Sequence, residues 1–356
     1  MKIFLRLGLL LPVFALAQIP AGYYNSATGT GYALKTQLHN IIKNHTVKSY
    51  NSLYQCYQSS DRDYYYENDG TILDMYSEKP GSADAYTYSA TNTGDRCGNY
   101  SNEGDCFNRE HIMPQSVFNE ASPMVSDAHH IIPSDGKVNG MRSSFPFGVV
   151  NSPTWTSTNG SKLGNNATPG YSNKVFEPID EFKGDIARCL LYFAVRYQNN
   201  MSGYSHAMLN GTSDQVFSGW FLNILLTWHS QDPVSAKEIA RNNAIYAYQD
   251  NRNPFIDHPE YACMIWANGC ALSTQDQLLA DLSVYPNPGN DGTVNITTAQ
   301  QVTRASVYDL NGRMILDVDN PVWSDNTVTL QGIPAGLYIL RIEAAGTTAL
   351  KKLVMQ

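Results

Sequence analysis

Residues 108–116 read NREHIMPQS, and eighteen residues beyond His111 comes a second polar run, HHIIPSDGKVNGMRSS. A carboxylate oxygen suits a hard divalent cation such as Mg²⁺, with Mn²⁺ or Ca²⁺ as further options, whereas a neutral imidazole suits it poorly. An imidazole that titrates near neutrality suits proton abstraction from water. Glu110 is therefore the expected metal ligand and His111 the expected general base. Neighbouring side chains of a regular strand point to opposite faces. For both to serve one site the strand must end or bend there, and Pro114 makes an early end plausible.

The elements that must position these groups follow from the second run. Residues 129–132 suit a short buried strand. Pro133-Ser134-Asp135-Gly136 suits a turn into a helix with Ser134 or Asp135 as cap. On that helix Asn139 and Arg142, three apart, share a face, and Val138 and Met141 offer an apolar one. Gly136 and Gly140 leave room for a close approach. Strand, loop, strand, helix is a workable one-metal phosphodiesterase. Glu110 and Asn139 would hold the cation, His111 would take a proton, and Arg142 or Arg109 would meet developing negative charge. Lys137, Arg188 and Arg196 are candidate contacts to a phosphate backbone.

Length and composition bound the rest. The chain has 356 residues, more than one average domain, with 24 basic against 32 acidic side chains. MKIFLRLGLLLPVFALAQ reads as a secretory signal: Lys2 and Arg6 lead, Leu7 to Ala15 are mostly apolar, and a small-residue site precedes Gln18. Its apolar run is too short to span a bilayer, and no later stretch is long and uncharged enough. Without residues 1–17 the balance is 22 basic to 32 acidic, so positive charge for phosphates must be local or borrowed from a metal. Six cysteines in an exported chain suggest disulfides. Cys97 with Cys106, and Cys263 with Cys270, are close enough to staple loops, while Cys56 with Cys189 stays open. The absence of CxxC lowers the odds of structural zinc.

Two parts with different patterns are expected: residues 18–272, α+β and mostly helical, and residues 279–356, a small all-β sandwich, joined by a linker at 273–278. TGYALKTQLHNIIKNHTV reads as a helix with Leu34, Leu38, Ile41 and Ile42 on one face. In EFKGDIARCLLYFAVRYQ, Phe182, Ile186, Leu190, Phe193 and Tyr197 keep helical spacing while Arg188, Tyr192 and Arg196 form another strip. GWFLNILLTWH follows as a helix, and Asp232-Pro233 reads as the start of the next. Beyond about residue 272 come short alternating runs broken by turns, including Asn311-Gly312 as a hairpin signal, for about seven strands.

NREHIMPQS, DAHHIIPSDGKVNGMRSSFPFG, VFEPIDEFKGDIARCLLYFAVRY and NRNPFIDHPEY, in that order over roughly residues 30 to 266, resemble the bacterial endonuclease I family. That resemblance implies an exported, sequence-nonspecific nuclease of the ββα-metal type acting on DNA, RNA or both and leaving 5′-phosphate products. It matches His111 to the general base and Glu110 and Asn139 to the Mg²⁺ ligands. Relatives carry an arginine between the catalytic histidine and the second strand; residues 112–128 contain none, so Arg142 or Arg109 must substitute. LSVYPNP, VYDLNGRMI, GIPAGLYILRIE and KKLVMQ, over about 279–356, resemble the C-terminal sorting domain of the type IX secretion system. The expected product is a monomer, secreted or attached to the outer-membrane surface, whose partners are nucleic acid and the secretion machinery.

Several of these residues suit a purely structural role as well. Arg188 and Arg196 serve phosphate or acids such as Glu177 and Asp185 equally well. Glu177 and Lys183 suit a buried ion pair as well as a substrate role. Asn251 and Arg252 belong to a rigid loop that could reach the site. Two rival functions remain: a surface-displayed binder of nucleic acid or glycan without turnover, and a zinc hydrolase using His129 and His130.

Overall fold

The computed structural model describes residues 19–266, 282–298, 300–309, 312–344 and 347–356. The signal at 1–17, the linker at 273–278, Cys270 and Asn311 lie outside the described residues. The chain divides into two compact units, residues 1–269 and 270–356.

The first unit opens with helices α1 (Gly31–Ile42) and α2 (Leu53–Ser60). Then come strands β1 (Phe107–His111) and β2 (Ile131–Asp135), paired antiparallel with Glu110 opposite Ile132 and His111 opposite Ile131, and helix α3 (Gly136–Arg142). A three-stranded antiparallel sheet follows: β3 (Val150–Thr156), β4 (Lys162–Asn166) and β5 (Lys174–Glu177). Helices α4 (Lys183–Arg196), α5 (Gly219–Gln231), α6 (Ala236–Gln249), α7 (Pro254–Asp257) and α8 (Glu260–Ile265) complete the unit. α4 is buried along every residue from Gly184 to Arg196 and packs on α1, α5 and α7. A helix buried on all sides is the centre of a core, not a surface element.

Several local expectations shift. β2 begins at Ile131 rather than at 129, because residues Ala128–His130 form a 3₁₀ turn whose start Asp127 caps by accepting from the His129 N–H. Asp135, not Ser134, caps α3, accepting from the Val138 N–H at 2.8 Å. α6 starts at Ala236: Ser235 and Glu238 form a reciprocal capping box, which outcompetes the Asp232-Pro233 signal. Asp232 instead ends α5 and accepts from the Gly184 N–H at 2.8 Å. Ile41 is only half-buried, and Lys35 and His39 join the buried face of α1. The sheet of β3, β4 and β5 had no expectation at all.

The second unit is all β among its described residues. Strands β6 (Ser283–Tyr285), β7 (Val294–Thr297) and β10 (Thr327–Leu330) make one antiparallel sheet. Strands β8 (Val302–Asp309), β9 (Met314–Asp319), β11 (Gly336–Ala344) and β12 (Thr347–Met355) make the other. Buried residues of both sheets, among them Val294, Ile296, Val328, Val307, Leu340 and Leu353, form one cluster. β8 and β9 pair as neighbours on either side of the Asn311-Gly312 position, with Gly312 at φ +79°.

Candidate active site

β1, its following turn and α3 enclose a cleft of about 410 Å³. Asn108, Arg109, Glu110, His111, Gln115, Asn139 and Arg142 line it, with Tyr50, Ser143 and Ser144. Glu110 and His111 are adjacent on a strand and still reach one cleft because β1 stops at His111. The Arg142 guanidinium hooks that end: Nη1 donates to the His111 carbonyl at 2.9 Å and Nη2 to the Ile112 carbonyl at 2.7 Å.

Glu110 is 2% exposed. Its Oε1 accepts from Tyr76 Oη at 3.2 Å and lies 3.0 Å from Arg142 Nη1. Neither contact engages Oε2. Burial pushes the Glu110 carboxyl up to about 7, against the pull of Arg142 and the Tyr76 hydroxyl. A buried carboxyl this reluctant to ionise gains most from a further positive charge.

His111 Nε2 lies 3.3 Å from the Val125 carbonyl. A carbonyl only accepts, so Nε2 carries the hydrogen and Nδ1 keeps the lone pair. Burial, helped by His130, Arg109 and Arg142, pushes the ring down to about 3, so it is neutral at physiological pH. Tyr50 packs on it with centroids 5.7 Å apart.

The arginines divide. Arg109 lies over Tyr50 at 3.6 Å and Tyr54 at 4.5 Å, half-buried at the cleft wall. Its Nη1 donates to the Tyr50 carbonyl and Asn51 Oδ1, each at 3.1 Å. Arg142, expected to face phosphate, is 1% exposed, lies over Phe147 at 4.4 Å and spends Nη1 and Nη2 on the strand end and Glu110. It orders the site rather than offering a free fork.

Three expected substrate contacts are not in the cleft. Arg188 is 0% exposed and held by both Glu238 oxygens, with Nη2 to Oε2 at 2.8 Å. Arg196 donates to His45 Nδ1 at 3.0 Å and is buried over Tyr197. Their regular spacing reflects one buried helix, inside which Glu238 pairs with Arg188 and a neutral His45 accepts a hydrogen bond from Arg196. Lys137, half-buried on α3, is not among the lining residues. Lys183 pairs with Glu177 at 2.7 Å. Asn251 donates to Tyr192 Oη, and Arg252 pairs with Asp257, so neither reaches the cleft.

His129 and His130 are fully buried and serve separate carbonyls, Asn251 at 3.0 Å and Met124 at 2.8 Å. Burial pushes both down to about 4. Among the described residues no group of three metal-binding side chains includes either. Cys97 and Cys106 form a disulfide, whose Sγ of Cys97, with Tyr100, fills the space beside Gly136. Cys56 and Cys189 are buried free thiols, each pushed up to about 12 by burial.

Tyr76, Asp74 and Tyr50 carry roles the sequence did not announce. Tyr76 holds Glu110, and Asp74 Oδ2 accepts from the Asp135 N–H at 2.6 Å, fixing the junction of β2 and α3. The short Asp74-Met75-Tyr76 spacing is the one signal that places both at a single turn.

The endonuclease I profile matches residues 30–260. The chain belongs to the endonuclease I family. Within this family of nucleases it is 37% identical over 251 residues to an extracellular ribonuclease of Bacillus amyloliquefaciens, covering 68% of this chain and 78% of that one. An extracellular ribonuclease of Bacillus subtilis is 36% identical over the same shares. An Endonuclease-1 of Buchnera aphidicola is 29% identical over 131 residues, covering 37% of this chain and 46% of that one. Residues 283–356 match the secretion system C-terminal sorting domain, here of the type IX kind, so this family member is an extracellular or surface-attached protein. Among the described residues no helix is long and apolar enough to cross a membrane.

Proposed function

We propose that this family member is a sequence-nonspecific, metal-dependent endonuclease of the ββα-metal type that hydrolyses DNA, RNA or both to 5′-phosphate products. The observation that carries the reading is one cleft lined by His111, Glu110 and Asn139 together. The donor set fits a hard cation: a carboxylate oxygen not engaged by Tyr76 or Arg142, and a side-chain amide oxygen from α3. Mg²⁺ is the proposed ion, with Mn²⁺ or Ca²⁺ able to occupy the same oxygens. When bound, it supplies positive charge at the scissile phosphate and at the leaving 3′ oxygen.

His111 Nδ1 takes the proton of the attacking water while the Val125 carbonyl holds the ring by Nε2. The water oxygen bonds to phosphorus, the bond from phosphorus to the 3′ oxygen breaks, and the 5′ side keeps the phosphate. A low ring basicity in the free protein rises when a phosphodiester brings negative charge beside it. Arg109, at the wall of the cleft, is the proposed phosphate contact. Arg142 is a positioning residue that sets Glu110 and the end of β1. The signal at 1–17 is removed, and the sorting domain from about 279 onward is removed or exchanged for an anchor during export, leaving the nuclease of residues 18–272 with the linker at 273–278.

The test is incubation of the full chain with plasmid and with RNA, in Mg²⁺ and in EDTA, beside His111→Ala. Cleavage of plasmid, RNA or both, only in Mg²⁺ and only by the wild type, is expected. Persistence of intact plasmid and RNA in Mg²⁺ as well as in EDTA would favour the non-catalytic binder.

A further inference from the structure

A second group of carboxylates stands apart from the residues lining the cleft. Asp63, Glu67 and Glu78 each place an oxygen within 4.8 Å of the others. Acidic clusters are common on surfaces and alone signify little. Here Glu78 is 1% exposed, and its Oε1 is buried with no hydrogen-bond partner. Among the described residues none of the three carboxylates has an ion-pair partner, whereas elsewhere in this unit Asp61, Asp185 and Glu238 each have one. A buried carboxylate oxygen with no donor, beside two other carboxylates, is unfavourable unless the group is protonated or faces a cation, even though the Lys79 N–H also donates to this carboxylate.

The surroundings are those of a built loop. Asp63 Oδ1 accepts from the N–H groups of Tyr65 and Tyr66, each at 2.9 Å, and Oδ2 from those of Glu67 and Asn68 at 3.0 and 3.1 Å. The loop is closed by the Gly70 N–H on the Asp63 carbonyl. Glu67 is exposed, which opens the group to solvent. All-oxygen donors on a loop rather than a rigid frame favour Ca²⁺, which tolerates irregular geometry and six to eight oxygens, over Mg²⁺.

We propose that Glu67 and Glu78, with Asp63 ordering the loop that carries Glu67, form a structural Ca²⁺ site distinct from the catalytic cleft. The ion ties the 63–70 loop to the turn that carries Asp74 and Tyr76, the side chains that hold Asp135 and Glu110. The proposal stands independently of the nuclease reading.

Thermal unfolding of the full chain, in EDTA and in about 10 mM CaCl₂, tests it, a concentration above the about 0.1–1 mM affinities of extracellular calcium modules. The wild type is expected to melt about 3–6 °C higher in calcium. Glu78→Gln is expected to melt in EDTA no lower than the wild type, which shows that it folds, and to lose the part of the calcium response that Glu110→Gln keeps. Glu67→Gln, at an exposed position, gives the same loss should Glu78→Gln fail to fold. Glu110→Gln is expected to keep the response, which assigns it away from the cleft. A wild type indifferent to calcium, a Glu78→Gln or Glu67→Gln variant with the full shift, or a Glu110→Gln variant without it overturns the proposal.

Discussion

Two buried arginine–glutamate pairs in the nuclease unit look alike by residue type and burial and differ in what they leave open. Arg188 and Glu238 close on each other through both carboxylate oxygens, and Glu238 also accepts from the Ser235 N–H at 2.9 Å as part of the α6 capping box. Arg142 touches Glu110 only at Oε1 and spends its other bonds on the carbonyls of His111 and Ile112. The first pair is saturated, and the second borders a cleft with an oxygen to spare. Burial of a charge therefore does not mark a site; incomplete satisfaction beside a cleft does.

The largest effect that sharpens this comparison lies in the cleft. His111→Ala should lower kcat/KM on plasmid by roughly 10²–10⁴-fold, the usual contribution of a positioned base, with a melting temperature close to wild type. A variant that retains wild-type turnover removes His111 from the chemistry. At the closed pair the expectation reverses. Arg188→Met should cost about 3–5 kcal/mol of stability by stranding Glu238 in the core. Denaturant unfolding measures that cost, and kcat/KM per folded molecule should stay near wild type at a temperature where the variant is folded. A stable Arg188→Met enzyme with weakened nucleic-acid binding would return Arg188 to the substrate.

Smaller effects probe the support of Glu110. Tyr76→Phe removes one hydrogen bond to Oε1 and should raise the Mg²⁺ concentration for half-maximal turnover by about 10–100-fold, as loss of such supporting partners does. The wild type should show a matching pH dependence. Cation binding requires the ionised carboxylate, and burial holds Glu110 up to about 7. Below about pH 7 the half-saturating Mg²⁺ should therefore rise by up to about tenfold per unit, and above about pH 8 it should level off. His111, pushed down to about 3, adds no titration of its own across that window in the free enzyme. The smallest change is expected at the wall: Arg109→Gln should reduce the slope of log affinity against log salt by about 1.

Much of this was legible because the decisive groups are close in the chain. Glu110 and His111 are neighbours, Asn139 and Arg142 share a helix face, and the turn at Asp135-Gly136 joins strand to helix. What supports them was hidden. Tyr76 reaches Glu110 across 34 residues and Asp74 reaches Asp135 across 61, and no local spacing encodes such contacts. Arg188 and Arg196 misled for a physical reason: two cations eight residues apart on one helix face suggest a solvated strip, but α4 is buried all round, α6 brings Glu238 to Arg188, and Arg196 hydrogen-bonds His45. β3 escaped notice because Pro153 and two register shifts against β4 break the alternation that marks a strand.

The most direct measurement is the Mg²⁺ dependence of residual nuclease turnover in His111→Ala beside Glu110→Gln. If the base and the cation are separate parts of one cleft, the first variant loses rate and keeps the wild-type half-saturating Mg²⁺. The second then needs at least about tenfold more of the ion. A Glu110→Gln enzyme with wild-type rate and wild-type metal requirement contradicts the account.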